Sequence, residues 1–464
     1  TWLEEYDPAQ RLRFGEDPVS NMSFSNFLDN QLIQFSINDC KRSLPDLFDG
    51  LKESHRKILY SVFLKNLKHS GEPFKVAQLA GYTAEKSNYH HGEQCLFETI
   101  TKMAQDFPGS NNIPHLFKEG QFGSRLSGGK DAANARYIFT KLGPLTRLIF
   151  KEEDDDLLQR VEDDGDVVEP VNYMPIIPMI LVNGCTAGIG TGWSCSVPCY
   201  NPTDVIECVK NWINGEDLKQ LQPWYGNFYG EITEVEKNKY STCGNFYKEG
   251  NKIIVDELPI GLWTDKFKEH LEDLLEKKTI KSMKNFSTPD NVKFEIEEVK
   301  GGIKCNMENL KLKTQVNCNN MVLFNKGKLR KFKDIYEIIS VFCEERLHFY
   351  ELRKKRILSN LTTELNFLRN KRKFLEAVIN KKLEIFRVDE KILTENLIEM
   401  GFDKLGEKKN FDYLLNMNIR SFTKEKLEKL QKEIGQFEKE LEKVTKMTEK
   451  RMWLNDLTDL EKKL

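Results

Sequence analysis

The chain has 464 residues, 39% hydrophobic and 31% charged, with 70 Lys and Arg against 72 Asp and Glu for a net charge of −2. A chain of that length exceeds one hydrophobic core and implies several domains. No apolar run approaches the roughly 20 residues a membrane span needs, and the opening TWLEEYDPAQ lacks a basic-then-apolar export signal. An intracellular protein with no membrane partner is the expectation.

The first 25 residues carry Pro8, Gly15 and Pro18 and read as a linker or arm. In LKESHRKILYSVFLKNL, Ile58, Leu59, Val62 and Phe63 recur at helical spacing among Arg56, Lys57 and Lys65, so one face is buried with basic side chains around it. KVAQLAGYTAEKSNYHHGEQCLFETITKMAQDF gives two helical patterns, broken near Gly81 and again over Ser87–Gly92. Helix, turn and helix with a basic periphery is a common layout for docking DNA, but the signal is weak by itself because most short helical pairs are plain core.

Charge is strongly segregated. Lys41–Lys75 holds eight Lys or Arg against four acids, Ile113–Lys151 seven against two, and Glu152–Glu169 ten acids with Arg160 alone opposing them. The basic stretches are the candidate faces for a polyanion; the acidic one reads as a confining belt or a solvated loop. The acids Asp154–Asp156 and Asp163–Asp166 read as solvated charge rather than a magnesium site.

From Pro170 to Phe332 short apolar runs (PIIPMILVNG, GNFYGEITEV, NKIIVDELPI, NVKFEIEEV, NMVLF) alternate with Gly, Asn and Pro, predicting strands of a separate α+β domain. From Lys333 the chain turns helical. Leu358, Leu361, Leu365, Leu368, Leu375 and Ile379 follow one heptad beat, and Leu427, Leu430, Ile434, Phe437, Leu441 and Val444 an unbroken second. Between them Phe386, Ile392, Leu397, Ile398, Phe402, Leu414 and Leu415 predict a small knob at the tip of an antiparallel helical hairpin, suited to dimer contact. The final helix simply stops and the chain opens on Thr1, which suggests a piece of a longer protein. The ten cysteines form no CxxC, and Cys195 and Cys199 have no histidine nearby, so reduced structural thiols are expected.

The chemistry concentrates in GQFGSRLSGGKDAANARYIFT, residues 120–140. A glycine-rich basic loop runs into Arg136 and Tyr137, pairing a nucleophile with a charge stabiliser. A free phenol has a pKa of about 10 and needs help to attack phosphate at pH 7, which Arg136, His90 and His91 are placed to give. An Arg-Tyr pair before Ile138 and Phe139 also fits the start of a buried strand. GSRLSGGKD is not a nucleotide P-loop, because Gly129 stands where lysine is required and Lys130 where Ser or Thr belongs. In NGCTAGIGTGWS, Ile189 is either a wedge for prying base pairs apart or ordinary core.

Together RSLPDLFDGLKESHRKILY, KVAQLAG, SNYHHGE, GSNN, GQFGSRLSGGKDAANARYIFT, PIIPMILVNG and GIGTGWS closely resemble the breakage-reunion region of eukaryotic-type type IIA DNA topoisomerases, from about Ser23 to Leu464. The resemblance implies that Tyr137 forms a 5′-phosphotyrosyl link to cut DNA while Arg136 contacts the scissile phosphate. Arg42, Asp49, Lys52 and Arg56 match positions that organise the site and hold DNA phosphates, His90 and His91 match paired histidines, and Ile189 matches an intercalating isoleucine. Lys57, Lys75, Gln78, Arg125 and Lys130 in these motifs are further DNA-binding candidates.

The implied fold is multidomain α+β: an arm over 1–25, a winged-helix domain with the catalytic tyrosine over 26–156, a mixed tower over 157–333, a coiled coil over 334–379 and 421–464, and a dimerising exit-gate knob over 380–420. The implied partners are double-stranded DNA and a second copy, with Mg²⁺ and ATP bound by metal-binding and ATPase modules not found in these residues. Cleavage by this segment alone is therefore expected to be deficient. The implied location is the nucleus for a cellular protein, or host cytoplasm or viral factory for a viral one. Two other departures stand out. GCTAGIG is one residue longer than the usual GAEGIG and lacks its glutamate, which puts the placement of Ile189 in question, and LKESHRK lacks the usual Pro-Gly-Gln. These favour a large DNA virus or distant protist as source. The rival readings are a noncatalytic DNA-bending protein on the same scaffold and a coiled-coil structural protein.

Overall fold

The computed structural model describes residue 3 and residues 23–299, 305–385, 388–406, 409–418 and 423–464. Most of the expected arm, and Phe386, lie outside the described residues. The chain divides into two compact units, one of Thr1–Arg346 with Leu454–Leu464 and one of Leu347–Trp453.

The first unit begins with α1 (Phe24–Phe27), followed through a π-type turn by α2 (Ile33–Ser43), whose Ile33, Ile37 and Cys40 form its buried stripe. Next come α3 (Glu53–Leu64), β1 (Phe74–Lys75), α4 (Val76–Lys86), α5 (Glu93–Ala104), β2 (Leu116–Glu119) and β3 (Phe139–Leu142). The three strands make an antiparallel sheet in the order β1-β3-β2, with Phe74 opposite Thr140 and Leu116 opposite Leu142. The apolar positions counted from sequence face inward: Ile58, Leu59 and Val62 are fully buried. The break expected near Gly81 does not occur. Helix α4 runs through it, because one glycine costs a helix only about 1 kcal/mol while buried Val76, Leu79, Ala80 and Thr83 hold the face in place.

After α6 (Thr146–Ile149), the acidic stretch is in part held by ion pairs and so is not a plain solvated loop. Asp154 is 3% exposed and pairs with the buried Arg346 at 2.7 Å, Asp155 pairs with Arg147 at 2.8 Å, and Glu169 pairs with Lys57 at 2.8 Å. Hairpin β4 (Arg160–Asp163) and β5 (Asp166–Pro170) carries Glu162, Asp163, Asp164 and Asp166, while Glu152, Glu153 and Asp156 are exposed on the helical turn Glu152–Leu157. PIIPMILVNG contains a short helix, α7 (Met179–Asn183), and not the expected strand; its Met179, Ile180, Leu181 and Val182 are all buried, so burial on every side leaves no period to read. Then follow hairpin β6 (Cys185–Gly190) and β7 (Trp193–Val197), and α8 (Pro202–Asn214), capped by Asn201.

The other strand expectations hold. β8 (Glu231–Glu236), β9 (Lys239–Cys243), β10 (Asn245–Glu249), β11 (Lys252–Glu257), α9 (Thr264–Glu276), β12 (Ile280–Asn285), β13 (Phe294–Glu298), β14 (Lys313–Asn317), β15 (Met321–Asn325) and β16 (Lys328–Phe332) form antiparallel sheets β10-β11-β13-β12 and β14-β9-β8 and hairpin β15-β16. Helix α9 covers the four-stranded sheet through Phe267 and Leu271, with the Phe267 ring edge-on to Phe294 at 5.0 Å.

Helix α10 (Ile335–Ile379) is followed by α11 (Glu390–Glu399), α12 (Asp412–Leu415), α13 (Lys424–Lys446) and α14 (Glu449–Glu461). In the second unit α10 and α13 pair antiparallel, with Leu361, Leu365, Leu430 and Ile434 buried and Arg369 meeting Glu438 at 2.6 Å. The long final helix breaks at Met447, because the Thr448 hydroxyl accepts from Arg451 N at 3.2 Å and starts a new helix. The knob core is Phe374, Leu383, Leu393, Leu397, Phe402, Phe411 and Leu414; Ile392 and Ile398 face outward.

Removing one partner of the Asp154–Arg346 pair takes a carboxylate from a guanidinium that has no solvent exposure. Asp154→Ala is expected to destabilise the chain by about 3–5 kcal/mol, read from its urea midpoint, whereas a shift under half that would mean that the pair contributes little.

Candidate active site

Tyr137 sits on a turn built by Asn134. The Asn134 side-chain oxygen accepts from Arg136 N at 3.1 Å and its carbonyl from Tyr137 N at 2.9 Å. Ala135 and Ile138, on either side of the pair, are buried, and their carbonyls accept from Ala77 N at 3.1 Å and Val76 N at 3.0 Å. Those two donors are the first N–H groups of α4, so the turn straddles a helix N-terminus, where the helix dipole favours a negative ligand. Arg136 and Tyr137 are left exposed, Tyr137 by 75%. The bland reading of a buried strand start therefore applies to Ile138 and not to Tyr137. Lys75, just before α4, lies with Nζ 5.7 Å from the Phe139 ring centroid, and Gln78 is exposed in the helix's first turn.

The glycine-rich loop is packed rather than free to drape over a ligand. A Cβ at Gly123 would meet the Gly129 carbonyl oxygen at 2.5 Å, and one at Gly128 would overlap the Trp263 indole. Asp131 closes the loop by accepting from Ser124 N at 2.9 Å and Ser124 Oγ at 2.6 Å. Arg125 is 5% exposed and donates to Glu257 at 2.5 Å, which docks the loop on β11. Its guanidinium is consumed by a buried partner, which removes Arg125 from the phosphate-binding candidates; Lys130 stays exposed.

Lys57 is likewise buried. Its Nζ donates to the Ser87 carbonyl at 2.6 Å and pairs with Glu169, so it fixes the Ser87–Gly92 turn from inside and does not reach a DNA surface. On that turn His90 and His91 are exposed and diverge. His90 Nε2 lies 3.8 Å from Asp163, while the His91 ring is edge-on to Tyr89 at 5.2 Å. Partial burial and the nearby Arg42 charge push His91 below the ordinary imidazole value, and Arg42 itself is exposed at the end of α2.

Asp49 organises the segment between. It is fully buried and accepts from Leu51 N at 2.9 Å, Arg56 Nε at 2.7 Å, Arg56 Nη2 at 3.1 Å and Tyr173 N at 2.9 Å. Burial works against the Arg56 charge, and Asp49 more than offsets it, so the guanidinium stays ionised. Beside it Asp46 is pushed up to about 7 by burial and by the Asp49 charge. Lys52, half-buried, lines a cavity of about 520 Å³ together with His55, Lys102, His115, Cys185 and Trp263.

Ile189 is 74% exposed on hairpin β6-β7, which excludes the ordinary-core reading. The extra residue of GCTAGIG is taken up as a β-bulge between Cys185 and Gly188, and Ile189 remains opposite Ser194. The hairpin is clamped to α2, since a Cβ at Gly190 would meet Cys40 Sγ at 2.9 Å and Asp39 accepts from Thr191 N at 2.7 Å and Thr191 Oγ1 at 2.8 Å. Asp39 was not a sequence candidate; it lies in the helical run SINDCKRS with no local signal for a partner 152 residues away.

Among the described residues, His90, Asp163 and Asp164 form the group able to converge on a metal. One imidazole and two surface carboxylates do not suit Mg²⁺, which takes oxygen donors in a strict octahedron.

Residues 42–458 match the A-subunit family profile of DNA gyrase/topoisomerase IV. The chain belongs to this family. It is 41% identical to DNA topoisomerase 2 of Invertebrate iridescent virus 6 over 99% of its own length and 41% of that protein. Against DNA topoisomerase 2 of Saccharomyces cerevisiae the identity is 37%, over 99% of this chain and 36% of the relative. The solved Plasmodium falciparum topoisomerase II DNA-binding, cleavage and re-ligation domain superposes with a TM-score of 0.89 at 39% identity, covering 99% of this chain and 66% of that one. Its likeness to the topoisomerase II members thus extends through sequence and fold, although the chain spans well under half the length of these curated relatives.

Burial also holds His55 down to about 3 and His115 down to about 4, from an ordinary 6.5. As pH falls from 6.5 towards 4, the unfolded chain gains a proton at position 115 that the folded chain refuses, so stability is lost over that window. His115→Phe is expected to recover about 3 kcal/mol of the loss between pH 7 and pH 4, measured as urea midpoints at both values; an unchanged difference would assign the acid sensitivity to other groups.

Proposed function

We propose that these residues are the DNA gate of a type II topoisomerase: they bind duplex DNA, bend it and open a transient double-strand break. The observation that carries this reading is Tyr137, exposed on a hydrogen-bonded turn beside Arg136 at the N-terminus of α4. The Tyr137 oxygen attacks the scissile phosphorus, the bond to the 3′ oxygen breaks, and that oxygen takes up a proton as the phenol gives one up. The product is a 5′-phosphotyrosyl link that conserves the bond for resealing. Arg136, with Lys75 and Gln78 nearby, neutralises the charge that gathers on the phosphate. Arg42, Lys52, Lys130 and His91 extend the contact surface, Arg56 and Asp49 fix the loop that presents Lys52, and Lys57 fixes the histidine turn.

The exposed Ile189 enters a base step and bends the duplex. In this reading residues 26–156, built around α3 to β3, are a winged-helix unit, the sheets of 157–333 are a tower, and the knob of 380–420 joins two copies so that two tyrosines make staggered cuts. Magnesium, bound by a metal module outside these residues, supplies electrostatic stabilisation of the phosphate, and an ATPase module drives strand passage. The segment alone therefore binds DNA and cleaves it poorly, in the nucleus of a cell or the replication site of a virus. The fit of its acids and histidine to Mg²⁺ is poor, which supports placing the metal elsewhere.

A polypeptide joining this chain to the family's metal-binding and ATPase regions is expected to yield protein-linked linear plasmid DNA, and Tyr137→Phe to abolish that product while retaining DNA binding within about threefold. Cutting by the Phe variant would overturn the assignment, and an inert unmutated protein would bring the DNA-bending reading forward. Binding by the chain itself is expected to weaken at least about tenfold between 50 and 200 mM salt, as basic side chains displace counterions; a flat salt dependence in a fluorescence titration would rule out the proposed phosphate-contacting face.

A further inference from the structure

We infer that Cys185 and Cys195 form a peroxide-sensitive dithiol whose oxidation to a disulfide staples the base of the hairpin carrying Ile189. This goes beyond the proposed DNA chemistry and does not depend on it.

Register brings the pair together. Cys185 on β6 stands opposite Val197 and Cys195 on β7 opposite Gly188, with the bulge between, so the two cysteines are diagonal neighbours on adjacent strands. The Cys185 sulfur lies 3.3 Å from where a Cβ on Gly188 would stand, and Gly188 is the residue directly opposite Cys195. Access is unequal: Cys195 is 2% exposed, whereas Cys185 is half-buried and lines the cavity of about 520 Å³ next to Lys52. A small oxidant therefore reaches Cys185 first. Acidity runs the same way, since the hydrogen bond from Cys195 lowers the Cys185 thiol while Cys195 is raised. The neighbouring thiols do not compete: Cys199 donates to the Asn183 carbonyl at 3.1 Å and is pushed up to about 12 by burial, and Cys40 donates to the Thr191 carbonyl at 3.5 Å and is pushed up to about 11 by burial. Nor do the cysteines converge into a metal cluster among the described residues.

The chemistry balances with a hydroperoxide as oxidant. The Cys185 thiolate attacks a peroxide oxygen, an S–O bond forms and the O–O bond breaks, and the departing hydroxide is protonated to water. The Cys195 sulfur then displaces the sulfenic hydroxyl as the S–S bond forms, releasing the second water. Two thiols and one hydrogen peroxide give one disulfide and two waters. The link joins β6 to β7 across the bulge and restrains the hairpin that presents Ile189.

The test treats the intact chain with a small excess of hydrogen peroxide, alkylates what remains, and counts thiols after denaturation. Two of the ten thiols are expected to disappear, leaving eight, and to return with dithiothreitol. Chymotrypsin cleaves after Trp193, between the two residues, so the disulfide should appear as a linked peptide pair whose fragmentation places the bond at Cys195 and not Cys199. Cys195→Ser should leave Cys185 as a sulfenic acid captured by dimedone. Cys185 still alkylated after other thiols have oxidised, or linked to Cys199, overturns the proposal, and the mapping of the unaltered chain decides it even if the serine variant misfolds.

Discussion

One buried carboxylate sets the frame for the rest of the site. Asp49 has no solvent exposure and takes hydrogen bonds from its own loop, from Arg56 on α3 and from the backbone at Tyr173. Its own loop, the start of α3 and a backbone stretch 124 residues away are thereby tied to one buried group. The loop so fixed runs into α3, and α3 carries Lys57, whose buried ammonium fixes the histidine turn in its turn. Ionic groups in this region thus act mainly through position, holding a few exposed side chains in a fixed relation.

The tyrosine turn follows a similar logic with backbone groups. Two carbonyls that would otherwise go unpaired beside buried Ala135 and Ile138 meet two helix-start N–H groups that need acceptors. The solution leaves Arg136 and Tyr137 facing outward with no freedom to sink into the core. The neighbouring glycines serve the same rigidity, because they permit close approach of Trp263 and Gly129 where any side chain would collide.

Much of this was legible in the sequence. Amphipathic helices such as α3 announce themselves by period, strands such as β11 and β13 by apolar runs between turns, and the Arg136–Tyr137 pair by residue type. What failed had physical causes. The run Met179–Val182 is buried all round and has lost its period, Gly81 sits in a helix that tertiary contacts hold together, and Asp154, Asp155 and Glu169 in the acidic stretch are paired with partners as distant as Arg346. Local reading counted Lys57 and Arg125 among the surface cations because nothing nearby shows that Glu169 and Glu257 await them. Likewise, no pattern pointed from Asp39 to Thr191.

The bulge between Cys185 and Gly188 has an evolutionary consequence. A strand counts in twos, so one added residue ordinarily reverses the parity of every side chain beyond it and would turn Ile189 from solvent into α2. Here the surplus is absorbed before the count reaches Gly188, and the exposed and packed positions after it keep their order. The base of this hairpin is therefore a place where length can drift by single residues without cost to its tip, while the four residues from Gly188 to Thr191, locked against Cys40 and Asp39, have no such latitude.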